Sequence, residues 1–237
     1  MTKSTIAIIP ARGGSKRIPR KNIKPFAGRP MIVHAISAAL GSRLFGQVVV
    51  STDDPEIAET ARKAGAKTPF VRPGELSDDH TPTVPVVAHA IEALEQIGWQ
   101  VATVCCIYPG VPFIQLADLA IALDLLRTSG ADYTLPVAEF PSAIQRALRR
   151  TSDGRLSPFH ADFELTRTQD LEPAYHDAGQ FYWGSRDAWL SNSRIHSNAV
   201  GLAIPNWRVV DIDTPEDWER AEILYSTLAK YPATIGS

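Results

Sequence analysis

Residues 6–22, IAIIPARGGSKRIPRKN, constrain this chain more than any other stretch. Ile6, Ala7, Ile8 and Ile9 are apolar without alternation, and the run stops at Pro10. A short, continuous, β-branched run is how a parallel strand buried on both faces reads. The loop behind it carries Gly13 and Gly14 among five cations: Arg12, Lys16, Arg17, Arg20 and Lys21. The glycines allow a tight turn and a close approach of backbone to a ligand. No acid precedes Asp53 in the chain, so the neighbouring sequence offers these cations no counter-charge. A buried first strand ending in a glycine-rich cationic loop predicts a polyphosphate site in an open α/β sheet. The competing reading is a solvated basic surface loop, which is common but seldom follows a buried strand directly. The order Arg-Gly-Gly-Ser-Lys is neither a Walker A loop nor G-x-G-x-x-G.

The rest of the chain extends that pattern. Pro30 suits a first helical turn, Met31, Ile32, Ala35, Ile36, Ala39 and Leu40 follow at helical spacing, and Gly41 is a stop signal. Val48, Val49 and Val50 predict a second buried strand, and Asp54-Pro55 an N-cap with proline at the first helical position. Further strands are predicted over 68–71, 101–107 and 133–137, and helices over about 85–98 and 116–127. The loop 72–83 is long, polar and proline-punctuated, the character of a functional segment. From Glu139 to Asp177 the helical period disappears, and Ser152-Asp-Gly154 predicts a β-hairpin. Strands are then expected over 178–184, 200–204 and 207–212, with a short helix over 187–190. Thr214-Pro-Glu-Asp217 opens the last helix, whose core face would be Trp218, Ala221, Ile223, Leu224 and Leu228. The prediction is one α/β domain over 1–237, with a Rossmann-like, mostly parallel sheet and helices on both faces. A small β-rich arm at about 139–177 is inserted in it.

Composition excludes several classes. A net charge of −2 disfavours nucleic acid and membrane surfaces as partners. No apolar stretch is long enough to span a bilayer, and the short N-terminal run is not a leader. Cys105 and Cys106 are adjacent in an apolar strand, with no disulfide framework or zinc spacing, so a reducing compartment, the cytoplasm, is expected.

Chemistry on a polyphosphate asks for cations to hold it and a divalent metal to offset the charge that develops as a bond to phosphorus breaks. Arg12, Lys16 and Lys21 supply the cations; Ser15 and the backbone N–H groups near Gly13 and Gly14 add neutral donors. Arg17 and Arg20 are assigned to solvent. Asp211 and Asp213 lie one residue apart on a predicted strand, hence on one face, and suit Mg²⁺. Spacing alone leaves open that Asp213 caps the next helix and Asp211 pairs with a cation. Asp78 and Asp79 read as structural caps. Gln145, Arg146, Tyr175, His176, Gln180 and Tyr182 offer donors and rings for a second, polar substrate, and Arg146 suits a carboxylate. Packing alone explains Tyr182 and His176 equally well.

The string ARGGSKRIPRKN resembles the signature of sugar nucleotidyltransferases, in the form seen in cytidylyltransferases that activate 2-keto sugar acids with CTP. The resemblance implies that Lys21 contacts the phosphates and Asn22 the nucleoside. It also implies that Arg72 and a later hydroxyl, Thr83, approach the base. VDIDTPED resembles the family's metal-binding acidic motif, which places Mg²⁺ on Asp211 and Asp213. Catalysis then falls to Arg12, Lys21 and Asp211, with Asp211 and a metal-bound water both open as general base. The segment after Glu139 resembles the family's dimerisation arm and implies a homodimer. Sialic acid synthetases carry a Gln-Pro-Thr-Ser-Pro-Leu-Arg-like string where this chain has Tyr108-Pro-Gly-Val-Pro-Phe113. They carry an arginine and an asparagine where it has His176 and Ala178. The strings 139–146 and 168–183 instead resemble the pseudaminic acid cytidylyltransferases, and Tyr108 joins the sugar set. Legionaminic, N-acetylneuraminic and 3-deoxy-octulosonic acids are the alternatives. A DxD glycosyltransferase and a non-catalytic nucleotide-binding module are the rivals outside this activity.

Overall fold

A computed structural model describes residues 4–191 and 194–230, without the side chains of 229 and 230. Strand β1 (Ser4–Pro10) has Ile6, Ala7, Ile8 and Ile9 fully buried. Ile6 and Ile8 face one layer, Ala7 and Ile9 the other. Helix α1 (Met31–Ser42), β2 (Gln47–Ser51) and α2 (Pro55–Lys63) follow. Asp54 caps α2 as predicted, accepting from the Glu56 and Ile57 N–H groups at 2.9 and 3.0 Å. Next come α3 (Thr83–Gln96), β3 (Val101–Ile107), α4 (Leu116–Ser129) and β4 (Tyr133–Glu139). The predicted hairpin is β5 (Leu148–Arg150) and β6 (Leu156–Pro158), which pair antiparallel. Strands β7 (Tyr175–Asp177) and β8 (Phe181–Ser185), helix α5 (Arg186–Ser191), β9 (Ala199–Ala203) and α6 (Pro215–Lys230) complete the order.

The main sheet runs β9-β4-β8-β3-β1-β2, with β7 also on β4. The β1–β2, β1–β3 and β4–β9 pairs are parallel; β8 enters antiparallel between β3 and β4, and β7 is antiparallel to β4. Helices α1, α2 and α4 cover one face, and α3 and α5 the other. The chain leaves β1 toward β2 on one side and returns to β3 on the other. The crevice beyond the carboxyl ends of β1 and β3 is therefore a topological switch point, where open sheets bind ligands. A third cluster, with Ile18, Phe26, Met31, Phe113, Ile212, Trp218 and Ala221, ties the first loop to α6 beside that crevice.

Four expectations are corrected. No strand forms over 68–71: the one bridge here among the described residues falls just before it, Lys67 with Val49, and Pro69 has no N–H to extend a ladder. Residues 178–180 form a turn rather than strand, with Gly179 at φ 61° and its N–H on Asp177 Oδ1 at 2.8 Å. Residues 207–212 form no strand, because side chains capture the backbone instead: Gln180 Nε2 donates to the Arg208 carbonyl at 2.9 Å. Ile223 is exposed, not on the core face of α6, whereas Trp218 and Ala221 are buried. Cys105 and Cys106 are buried core residues, and burial pushes both thiols up, leaving them inert. Among the described residues no helix is long and apolar enough to cross a membrane.

Candidate active site

A cleft of about 820 Å³ opens at the switch point. The loop after β1 brings Arg12, Ser15, Lys16, Lys21 and Asn22 to it. Gly13 and Gly14 do not line it. The Gly13 N–H is committed to Asp53 Oδ1 at 3.1 Å, and a Cβ on Gly13 would stand 2.6 Å from Asp54 Oδ2. That glycine therefore lets the loop lie against the acids following β2, a different use from the predicted ligand approach. Arg20 is not a solvent residue. At φ 56° it turns back to pair with Asp54 and Glu56, pinning the loop to the start of α2. Buried Asn22 donates from Nδ2 to the Arg12 carbonyl at 2.9 Å and so shapes the loop from within.

The neighbouring sequence gives the loop cations no counter-charge, and distant segments supply it in three dimensions. Asp79 pairs with both Arg12 and Lys16. Asp213 pairs with Arg17 at 2.9 Å and with Lys21 at 3.5 Å. Arg17 thus belongs to the cleft, and Asp79 is no helix cap; Asp78 does cap a turn, accepting from the His80 and Thr81 N–H groups. Lys16 and then Arg12, by hydrogen bonds, hold the Asp79 carboxyl down to about 2. The sequence signal for Asp79 was its place in the polar loop 72–83; nothing local named its partners.

Asp211 and Asp213 both line the cleft. Their shared face comes from buried Ile212, seated in the third cluster between them, and not from a strand. Loss of hydration, and then the Asp213 charge, push the Asp211 carboxyl up. Two hard oxygen donors that repel each other fit a divalent cation such as Mg²⁺. Thr214 and Asp217 form a reciprocal cap behind them: the Asp217 N–H donates to Thr214 Oγ1 at 3.2 Å, and Asp217 Oδ2 accepts from the Thr214 N–H at 2.9 Å. The buried pair Arg208–Asp118, 2.7 Å, fixes the approach to this segment from α4.

Arg72, 5% exposed, lines the cleft with Thr83, whose Oγ1 lies 2.6 Å from the Tyr108 hydroxyl at the end of β3. His176 also lines the cleft, on β7. Tyr182 stands behind it on the wall of a second cavity. Gln180 is buried and bound to the Arg208 carbonyl, outside the cleft. Gln145, Arg146 and Tyr175 are not brought to the cleft of this chain. Gln145 donates to the Glu172 carbonyl at 2.9 Å, Arg146 reaches the Glu164 carbonyl at 3.1 Å, and Tyr175 is exposed. Asp177 lines the cleft and had no motif to announce it.

Cations for phosphates, paired carboxylates for a metal and a separate half for an acceptor can together perform nucleotidyl transfer. The model of the cytidylyltransferase family matches residues 6–225. The chain belongs to the cytidylyltransferase family. A pseudaminic acid cytidylyltransferase of Campylobacter jejuni is 44% identical to this cytidylyltransferase over 223 residues, covering 93% of the chain and 95% of the relative. A CMP-N,N'-diacetyllegionaminic acid synthase of Legionella pneumophila is 30% identical, covering 92% and 95%. Among solved structures, a CMP:2-keto-3-deoxy-manno-octonic acid synthetase complexed with CTP matches with a TM-score of 0.70. It is 19% identical and covers 95% of this chain and 99% of that one, a likeness of fold. As a cytidylyltransferase the chain makes a nucleotide conjugate, which sets aside the glycosyltransferase alternative.

Proposed function

We propose that the chain forms a CMP-sugar from CTP and a nine-carbon 2-keto sugar acid, pseudaminic acid first. The observation that carries this is the meeting of Arg12, Lys16 and Lys21 with Asp211 and Asp213 in one cleft. The anomeric hydroxyl attacks the α-phosphorus, its proton passing to Asp211 or to water, the bond to the bridging oxygen breaks, and pyrophosphate leaves. Arg12, Lys16 and Lys21 hold the triphosphate and stabilise the charge on the leaving group. Arg72 and Thr83 face the nucleoside. Asp211 and Asp213 would hold Mg²⁺, which when bound offsets charge at the α-phosphate and pyrophosphate. Tyr108 and His176 face the sugar acid. The name of the 44%-identical relative favours pseudaminic acid over legionaminic, N-acetylneuraminic and 3-deoxy-octulosonic acids.

The arm, about 139–177, serves in this reading to join two copies. Among the described residues its hairpin pairs only with itself, and Leu148, Leu156, Phe159, Phe163 and Leu165 are exposed, Leu165 by 96%. A homodimer covers that apolar surface and places Gln145, Arg146 and Tyr175 near the partner's sugar half.

The test is pyrophosphate release by the purified protein with CTP, Mg²⁺ and each acid in turn. Release with pseudaminic acid alone is expected. Release with N-acetylneuraminic acid instead overturns the assignment of the sugar half, and release with no acid overturns the function.

A further inference from the structure

The sugar half of the cleft holds a carboxylate that phosphate binding does not use. Asp177 ends β7 and lines the cleft next to His176. Its Oδ1 accepts from the Gly179 N–H at 2.8 Å. Its Oδ2 accepts from the Tyr182 hydroxyl at 2.9 Å and lies 2.9 Å from His196 Nε2. Tyr182 stands edge-on to Tyr108, ring centroids 5.4 Å apart, and Tyr108 reaches Thr83 at 2.6 Å. Thr83 and Tyr108 line both the cleft and a second cavity of about 600 Å³, which Tyr182 and His196 also line.

A carboxylate in a cleft for polyanions weakens binding by repulsion unless it is neutralised or meets a donor on a substrate. Asp79 and Asp213 are neutralised by loop arginines and lysines. Asp177 is not held that way: its contacts are a backbone N–H, a tyrosine hydroxyl and an imidazole. A carboxylate accepts about four hydrogen bonds, so these three leave room for another donor on the Oδ1 side. Neither the triphosphate nor the sugar's carboxylate has a proton to give at neutral pH; the sugar's hydroxyl and amide groups do.

We propose that Asp177 is a specificity-determining acceptor for the sugar acid. Its carboxylate takes a hydroxyl or amide N–H of that substrate, and Tyr182 and His196 are positioning residues that hold it for the contact. This rests on the cleft being a CMP-sugar synthetase site.

The experiment is steady-state pyrophosphate release with pseudaminic acid and CTP varied separately, together with CTP binding by calorimetry. The variants are Asp177→Ala, Asp177→Asn, Tyr182→Phe and His196→Gln. Asp177→Ala is expected to raise the KM for pseudaminic acid about 10- to 100-fold while CTP affinity holds. Asp177→Asn, which keeps one acceptor oxygen, falls between it and the unaltered protein. Tyr182→Phe and His196→Gln raise the same KM about 3- to 10-fold. His196 is 68% exposed at its side chain, so its variant does not threaten folding. An unchanged KM for the acid in Asp177→Ala overturns the proposal. So does a parallel rise in KM for both substrates, the mark of a loosened turn. An unaltered protein that releases no pyrophosphate overturns the reading of the cleft itself, before any substitution is made.

Discussion

Asp79 pairs with Arg12 and Lys16, two of the cations proposed to hold the triphosphate. Its carboxyl titrates below its ordinary value, so the pairs with Arg12 and Lys16 are complete above about pH 4 and are lost as pH falls toward about 2. Neutral pH therefore does not open them, and in the proposed function the nucleotide displaces them. Asp79→Asn removes the competitor without changing the loop's length. CTP is expected to bind about two- to tenfold more tightly to this variant at low salt, the scale of two exposed ion pairs. Added salt should narrow the difference, because screening weakens the same pairs in the unaltered protein. Calorimetry at two ionic strengths reads both effects; equal affinities at low salt would remove the competition.

At the scale of elements, two contacts hold the cleft's edges. Arg208 and Asp118 form an ion pair with only 12% and 11% of their side chains exposed, tying the segment before Asp211 to α4. Removing one partner strands the other charge, at about 3–5 kcal/mol. Asp118→Ala is expected to lose that much in urea unfolding and to lower turnover, because Ile212 and its flanking aspartates lose their approach. The second contact is His34 in α1, buried edge-on to Phe26 and Tyr225, with Nε2 3.0 Å from the Phe26 carbonyl. Burial above all, together with the Arg29 charge, holds its pKa below the usual value. The unfolded chain therefore takes up the proton first. The stability tied to neutral His34 is whole above about pH 6.5 and drains away as pH falls toward the folded value. Tm is expected to drop between pH 7 and pH 5, and His34→Gln to lower Tm at pH 7 while flattening that slope.

At the scale of the molecule, the sheet and its helices bury both faces of β1, β2 and β3, while the hairpin β5–β6 stands away with apolar residues in water. Leu148→Asp with Leu156→Asp changes only exposed positions, so the fold should persist. Light scattering is expected to give a dimer for the unaltered protein and a monomer for the double variant. The variant's pyrophosphate release should fall chiefly through a higher KM for the sugar acid, since the proposed nucleotide half of the cleft is built within one chain. A monomeric unaltered protein would remove the arm's proposed role.

The chain's own order determined its local elements. The run 6–9, the Asp54-Pro55 cap, the helical spacing from Met31 and the hairpin turn at Ser152-Asp-Gly154 are all set by neighbours within a few residues. The cationic loop was legible for the same reason, and with it the half of the site proposed to hold phosphate. Tertiary structure decided the rest. Arg12 meets Asp79 across 67 residues, and Lys21 meets Asp213 across 192. Periodicity records which face of an element is buried, not which element covers it. So the antiparallel entry of β8 between β3 and β4 left no mark in the sequence pattern, nor did the seating of Ile212 that aims Asp211 and Asp213. Nor did the convergence of Tyr182 and His196 on Asp177: each is an ordinary residue in its own segment, and only the packing of β7, β8 and the turn before β9 brings their polar atoms within hydrogen-bond reach.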